Sequence, residues 1–199
     1  MKYKKVTLEN IEEFAIPLST HILKWKFELE NEQELYKEFE DQIIPLNPEA
    51  SKFLYQFQNS QKILDLEVSQ YFEKEESIIV KEDSDKEVKK WLYKRGIKFD
   101  TKVFWLESET HAFVLTWKMV IKFWESIFFA SDEIIWDKTL NWVLGYHHER
   151  AFYFSKDRIY DTNTESKEIA KTNEILKDFK SKVSQINSNS KYTSNPFRS

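Results

Sequence analysis

The residues that decide the fold are TKVFWL at Thr101–Leu106 and HAFVLT at His111–Thr116. Both stretches are rich in β-branched and aromatic residues, which favour strands. The spacing of apolar residues then changes to the helical interval of three to four. The residues with this spacing are Trp117, Val120, Ile121 and Trp124. We therefore predict two strands followed by a helix over Trp117–Phe128.

The rest of the C-terminal half reads as a strand meander that ends in a helix. Its predicted strands are Glu133–Trp136, Asn141–His147 and Ala151–Phe154. Apolar residues at helical spacing predict a last helix over Glu165–Ile186. Residues 187–199 are rich in Ser and Asn, which predicts a disordered tail. We expect one α+β domain over residues 1–186.

Helix signals concentrate in the N-terminal half. Asn47 followed by Pro48 is typical of a helix start. Ser84 with Glu87 forms a capping-box pattern, and its helix should end at Gly96 in a left-handed cap. Other predicted elements are a helix over Thr7–Ile16, a strand over Ile22–Leu29, a helix over Asn31–Ile43 and a strand over Ser77–Val80. We expect an antiparallel or mixed sheet, mainly from the C-terminal half, with helices packed on one face.

Composition excludes several classes of protein. The 199 residues contain no Cys, which rules out disulfides and thiolate chemistry and fits a cytoplasmic location. The only glycines are Gly96 and Gly145, so glycine-rich phosphate loops are absent. A net charge of −4 argues against binding nucleic acid. Apolar runs are only a few residues long, and we expect neither a signal peptide nor a membrane span.

Aromatic residues should dominate the core, since the chain has 16 Phe, 9 Tyr and 7 Trp. We interpret Trp117, Trp124, Trp136 and Trp142 as core residues. If a pocket exists, Trp136 or Trp142 should line it. A small-ligand-binding protein with a Trp-lined pocket is therefore one alternative function.

Two groups of side chains could support catalysis. On a strand, His147 and His148 would point to opposite faces and could not share one metal ion without a bulge. A third ligand would have to come from elsewhere, such as His111 or Asp157. The nearby carboxylates are Glu107, Glu109, Asp132, Glu133 and Asp137. A metal-dependent hydrolase or nuclease that uses His147, His148 and these carboxylates is thus a second alternative function. A hairpin with a polar tip accounts for the same pattern. We therefore predict no catalytic residue, no metal and no cofactor.

Charge is unevenly distributed along the chain. From Glu28 to Glu76 there are 13 acidic and 4 basic residues, a net charge of −9, so the remainder carries +5. An acidic surface accelerates encounter with a basic partner. We therefore predict a non-enzymatic protein-binding module whose contacts are Glu32, Glu34, Glu38, Glu40 and Asp41.

Several short motifs carry a resemblance. They are Trp25-Lys26-Phe27, Ile44-Pro45-Leu46, Thr116-Trp117, Phe123-Trp124, Phe128-Phe129 and Asp132-Glu133. In this order they resemble a small bacterial family of uncharacterised cytoplasmic proteins, over about residues 22–160. That resemblance implies no activity and assigns no functional residue. More loosely, the chain is similar to immunity proteins of bacterial toxin systems, which implies that it neutralises a basic toxin.

Overall fold

The structure is a computed structural model that describes residues 4–28, 38–63, 71–129, 132–161, 163, 166–167, 169–177 and 180. The chain divides into two compact units, Met1–Ile159 and Tyr160–Ser199. The predicted C-terminal helix is helical at every one of its described residues. The predicted boundary at Ile186 and the tail lie outside the described residues. No helix within the described ranges is long and apolar enough to cross a bilayer.

Within the described residues of the first unit, seven strands form one sheet in which all pairings are antiparallel. The strands are β1 Ile43–Pro45, β2 Phe72–Ile79, β3 Lys102–Ser108, β4 His111–Thr116, β5 Glu133–Asp137, β6 Trp142–His147 and β7 Ala151–Arg158. Their order across the sheet is β1-β4-β3-β5-β6-β7-β2. The α+β class and the origin of most strands in the C-terminal half are confirmed.

Four α-helices accompany the sheet in the described part of this unit. They are α1 Pro48–Ser60, α2 Asp85–Tyr93, α3 Trp117–Lys122 and α4 Trp124–Ile127. Short 3₁₀ helices occupy Ile11–Phe14, Leu18–Thr20 and Lys24–Phe27.

The central strands are buried on both faces. Val103 and Trp105 of β3 belong to one apolar cluster, and Phe104 and Leu106 belong to a second cluster on the opposite face. Such strands need cover on both sides. Helices α2, α3 and α4 pack on the first face, but α1 packs on the second through Leu54, so the expectation that the helices cover one face is wrong for α1.

Local signals determined where the helices begin. The side chain of Asn47 accepts a hydrogen bond from the Ala50 N–H at 2.9 Å, so the predicted cap of α1 is confirmed. Ser84 does precede α2, but its hydroxyl donates to the Lys81 carbonyl oxygen and does not cap the helix. Gly96 has the predicted left-handed φ of 74°, but α2 already ends at Tyr93 with Lys94 as its C-cap, so Gly96 lies two residues beyond the cap and does not form it.

The predicted strand over Ile22–Leu29 is wrong, since Lys24–Phe27 is a 3₁₀ helix. Leu23, Lys26 and Phe27 are the buried residues, which is a helical spacing. Alternation had placed Lys26 in solvent and Trp25 in the core, whereas Trp25 is 52% exposed. The alternation spans too few residues to separate the two periods.

Two other N-terminal expectations change as well. Only Ile11–Phe14 of the predicted helix over Thr7–Ile16 is helical, in 3₁₀ form. The predicted helix over Asn31–Ile43 falls largely outside the described residues, and Ile43 opens β1.

Candidate functional site

Strand β2 forms one end of the sheet. Among the residues that the structure describes, it pairs only with β7. Five consecutive residues, Glu73–Ser77, are exposed, so side chains on both faces of this strand meet solvent. The strand at the opposite end of the sheet, β1, is shorter. It is also partly covered, because the Ile16 N–H donates to the Pro45 carbonyl oxygen at 2.9 Å. Judged by the residues that the structure describes, β2 is therefore the more open of the two edges.

Acidic side chains dominate β2. The Glu76 carboxylate lies 2.8 Å from the guanidinium of Arg95, and the hydrogen bond and charge of Arg95 hold the pKa of Glu76 below its usual value. Lys74 pairs with Asp157 on β7. No ion pair within the described ranges involves Glu73 or Glu75. Their carboxylates therefore supply the strand's net negative charge.

The acidic segment identified in the sequence does not form one surface. Glu38, Glu40 and Asp41 are exposed and precede β1, at the opposite end of the sheet from β2. The ammonium groups of Lys118 and Lys122 lie 5.2 and 4.8 Å from the ring of Phe39, so positive charge borders this turn. Glu32 and Glu34 lie outside the described residues.

The turn between β6 and β7 brings two histidines and a carboxylate together. β6 ends at His147, and the Arg150 N–H donates to the His147 carbonyl oxygen to close the turn. The rings of His147 and His148 are 4.2 Å apart between centroids. The prediction of opposite orientations is wrong because strand alternation stops at His147. One possible ligand atom from each of Asp132, His147 and His148 lies within 4.8 Å of the others.

Asp132 is held in place by His148. Its Oδ1 accepts a hydrogen bond from the His148 main-chain N–H at 2.7 Å and lies 2.9 Å from Nδ1 of the ring. Partial burial raises the pKa of Asp132, but these hydrogen bonds and the neighbouring imidazoles outweigh it, so the pKa lies below its usual value. A carboxylate can only accept, and the ring therefore donates from Nδ1.

The other residues considered for metal binding or catalysis lie elsewhere. His111 contacts the ring of His21, and Asp157 pairs with Lys74. Glu133 and Asp137 are buried and accept hydrogen bonds from indole N–H groups, those of Trp105 and Trp142. Glu107 and Glu109 are exposed, and Glu109 lies 3.7 Å from Lys52. These carboxylates do not converge on one site.

The tryptophans named in the sequence belong to the core, as predicted. Trp117 and Trp136 are fully buried, and Trp124 and Trp142 are nearly so. The described cavities are lined by other residues.

A small cavity joins two histidines that sequence reasoning did not connect. Its volume is about 150 Å³, and its lining includes His21, His111 and apolar side chains. His21 Nδ1 accepts the Leu23 N–H at 3.2 Å, and His111 Nδ1 lies 2.9 Å from the Ser108 hydroxyl. Burial, followed by the charge of His111, lowers the pKa of His21. Because 90 residues separate the two histidines, no sequence motif could have found this cavity.

Comparison of the chain with family models, curated proteins and solved structures found no match. The resemblance to a bacterial family and to immunity proteins therefore stays a prediction. The geometry of the described residues is the basis for a functional proposal.

Proposed function

We propose that this chain is a non-enzymatic protein-binding protein of the bacterial cytoplasm, of the immunity type, that neutralises a basic toxin. The observation that supports the proposal most is the open acidic edge of β2. Its exposed residues Glu73–Ser77 carry three carboxylates, and β7 is its only partner in the described part of the sheet.

Such an edge offers two kinds of recognition. Along the side of β2 that has no strand partner among the described residues, main-chain N–H and C=O groups can pair with an extended segment of another protein. The carboxylates of Glu73 and Glu75 favour a basic partner and accelerate its encounter, by about 10- to 1,000-fold in favourable cases. A nucleic-acid-cutting toxin is basic because it must bind phosphate, so it suits this surface.

The contacts around the alternative sites favour binding over catalysis. A hydrolase needs polar groups that converge in a cleft. Here Glu133 and Asp137 are buried and bonded to indoles, whereas His147 and His148 lie on a hairpin turn. A Trp-lined ligand pocket is disfavoured because the tryptophans pack within the core.

Charged residues on an edge strand have another role that must be separated from partner binding. They prevent sheets from pairing edge to edge and aggregating. Loss of that role would produce self-association of the purified protein, whereas loss of a docking surface would abolish capture of a partner.

A pair of charge-reversal variants tests the proposal. Glu73→Lys/Glu75→Lys changes β2, and Glu40→Lys/Asp41→Lys changes the turn before β1. The two are matched, because each moves the formal net charge from −4 to 0. We expect affinity capture from the native host to recover one dominant basic protein with the wild type and the second variant, and to lose it with the first.

Calorimetry with the purified partner should then give the same ranking and an affinity that falls as salt increases. Loss only in Glu40→Lys/Asp41→Lys would place the contact on the residues named from the sequence. Failure to recover a specific protein with the wild type would contradict the proposed function.

A further inference from the structure

We infer that the turn between β6 and β7 binds a divalent transition-metal ion such as Zn²⁺ through Asp132, His147 and His148. Two imidazoles and a carboxylate are ordinary zinc ligands. One potential ligand atom from each residue already lies within 4.8 Å of the others. This inference does not depend on the proposed protein-binding function.

The Asp132–His148 contact has nearly the geometry that a metal requires. Oδ1 and Nδ1 lie 2.9 Å apart with a proton between them. Ligands bonded to zinc at about 2.0–2.1 Å are separated by about 2.9 Å at a right angle and about 3.4 Å in a tetrahedron. Zn²⁺ can therefore replace the ring proton with a ligand movement of at most about half an ångström.

Asp132 stays in position when that proton leaves. The His148 main-chain N–H also donates to Oδ1, at 2.7 Å. This second hydrogen bond has the role of an outer-shell partner that orients a ligating carboxylate.

His147 supplies the third ligand from the neighbouring position. Its Nδ1 carries a lone pair that accepts the Glu149 N–H in a long hydrogen bond of 3.3 Å, and a metal ion bound at that nitrogen would replace this bond and release the N–H to water. The Glu149 carboxylate lies 3.9 Å from the same nitrogen and can approach as a further oxygen ligand. The hydrogen bond from the Arg150 N–H to the His147 carbonyl oxygen holds the backbone of the turn in place. Metal binding therefore requires little movement of the backbone.

Exposure and donor type define which ions fit. The side chains of Asp132, His147 and His148 are 54%, 37% and 60% exposed, so water can fill the remaining coordination positions. Imidazole favours Zn²⁺, Ni²⁺ and Cu²⁺, whereas Mg²⁺ and Ca²⁺ prefer oxygen ligands. The site should therefore discriminate between these two groups of cations.

The test is calorimetric titration of the full chain, without an affinity tag and after removal of metal by chelation, with Zn²⁺ and separately with Mg²⁺. We expect one Zn²⁺ per chain and no measurable heat with Mg²⁺ at the same concentrations. His147→Ala, His148→Ala and Asp132→Asn should each weaken Zn²⁺ binding at least about ten-fold. His111→Ala is the matched control and should bind like the wild type.

A spectroscopic readout makes the result independent of calorimetry. The chain has four histidines, which form the pairs His21/His111 and His147/His148. Zn²⁺ should shift the imidazole NMR signals of the second pair and leave the first unchanged, and thermal melts should show that all variants fold. Unaltered affinity in the three variants, signals that shift in the first pair, or an unaffected Asp132→Asn variant would overturn the proposed three-ligand site.

Discussion

At the residue scale, buried indole N–H groups determine the role of several acidic side chains. Trp105 donates to Glu133 and Trp142 donates to Asp137, both at 2.9 Å, and Trp136 donates to the Gln58 side chain at 2.6 Å. Buried polar groups are costly without a partner. In the sequence, Glu133 and Asp137 were candidate catalytic carboxylates. In the structure, their burial is explained by the hydrogen bonds that they accept from the indole N–H groups of Trp105 and Trp142.

His21 predicts a pH dependence of folding stability. Burial lowers its pKa in the folded state relative to about 6.5 in the unfolded chain. The unfolded state therefore binds more protons, and this residue's contribution to stability falls as the pH drops below about 6.5 towards the folded pKa. Denaturant titrations between pH 8 and 5 should show a smaller loss of stability in His21→Gln than in the wild type.

The comparison at each pH is the difference in unfolding free energy between the two proteins. Other titrating groups contribute to both proteins and largely cancel. A difference that stays constant from pH 8 to pH 5 would show that His21 does not titrate differently in the folded and unfolded states.

At the element scale, the residues that mark where a helix begins predicted the structure better than the spacing of apolar residues did in the N-terminal part. Asn47 and Pro48 specify where α1 begins, because a side-chain acceptor and a missing N–H both suit the first turn. The bounds of β4 agree with the sequence prediction at both ends. The segment Lys24–Phe27 does not follow its alternation, because tertiary burial of Lys26 and Phe27 selects a 3₁₀ helix.

The contribution of the Asn47 cap to the free energy of unfolding can be measured. Asn47→Ala removes the acceptor of the Ala50 N–H and should lower the free energy of unfolding by about 1 kcal/mol in denaturant titration. Asn47→Asp is the control and should retain wild-type stability, since its carboxylate accepts the same bond and suits the helix N-terminus. Equal loss in both variants would mean that the side chain acts in another way.

At the scale of the whole molecule, sheet order separates residues that are close in sequence. The acidic residues before β1 and those on β2 lie at opposite ends of the sheet. Conversely, β6 and the segment before β5 bring His147, His148 and Asp132 together. Surface charge and possible ligand sets are therefore properties of topology and not of sequence blocks.

The division into two units predicts the result of a truncation. Among the described residues of the second unit, Ile169, Ile175 and Leu176 are 56%, 61% and 51% exposed, so the removal of these three side chains loses little buried surface. A chain that ends at Asp161 should keep a cooperative thermal transition within about 3 °C of the full chain by circular dichroism. A larger drop would indicate that the C-terminal helix belongs to one domain with the sheet, as the sequence suggested.

The sequence by itself determined the fold class, the dense aromatic core, the start of α1 and most strands of the C-terminal half. Those features depend on local spacing and on side-chain type, which a single sequence contains. Only the tertiary structure decided that α1 covers the second face, that β2 forms an open acidic edge, and that Asp132 meets the two histidines of the β6–β7 turn. These features depend on strand order and on turn geometry, and both arise from contacts between residues that are distant in sequence.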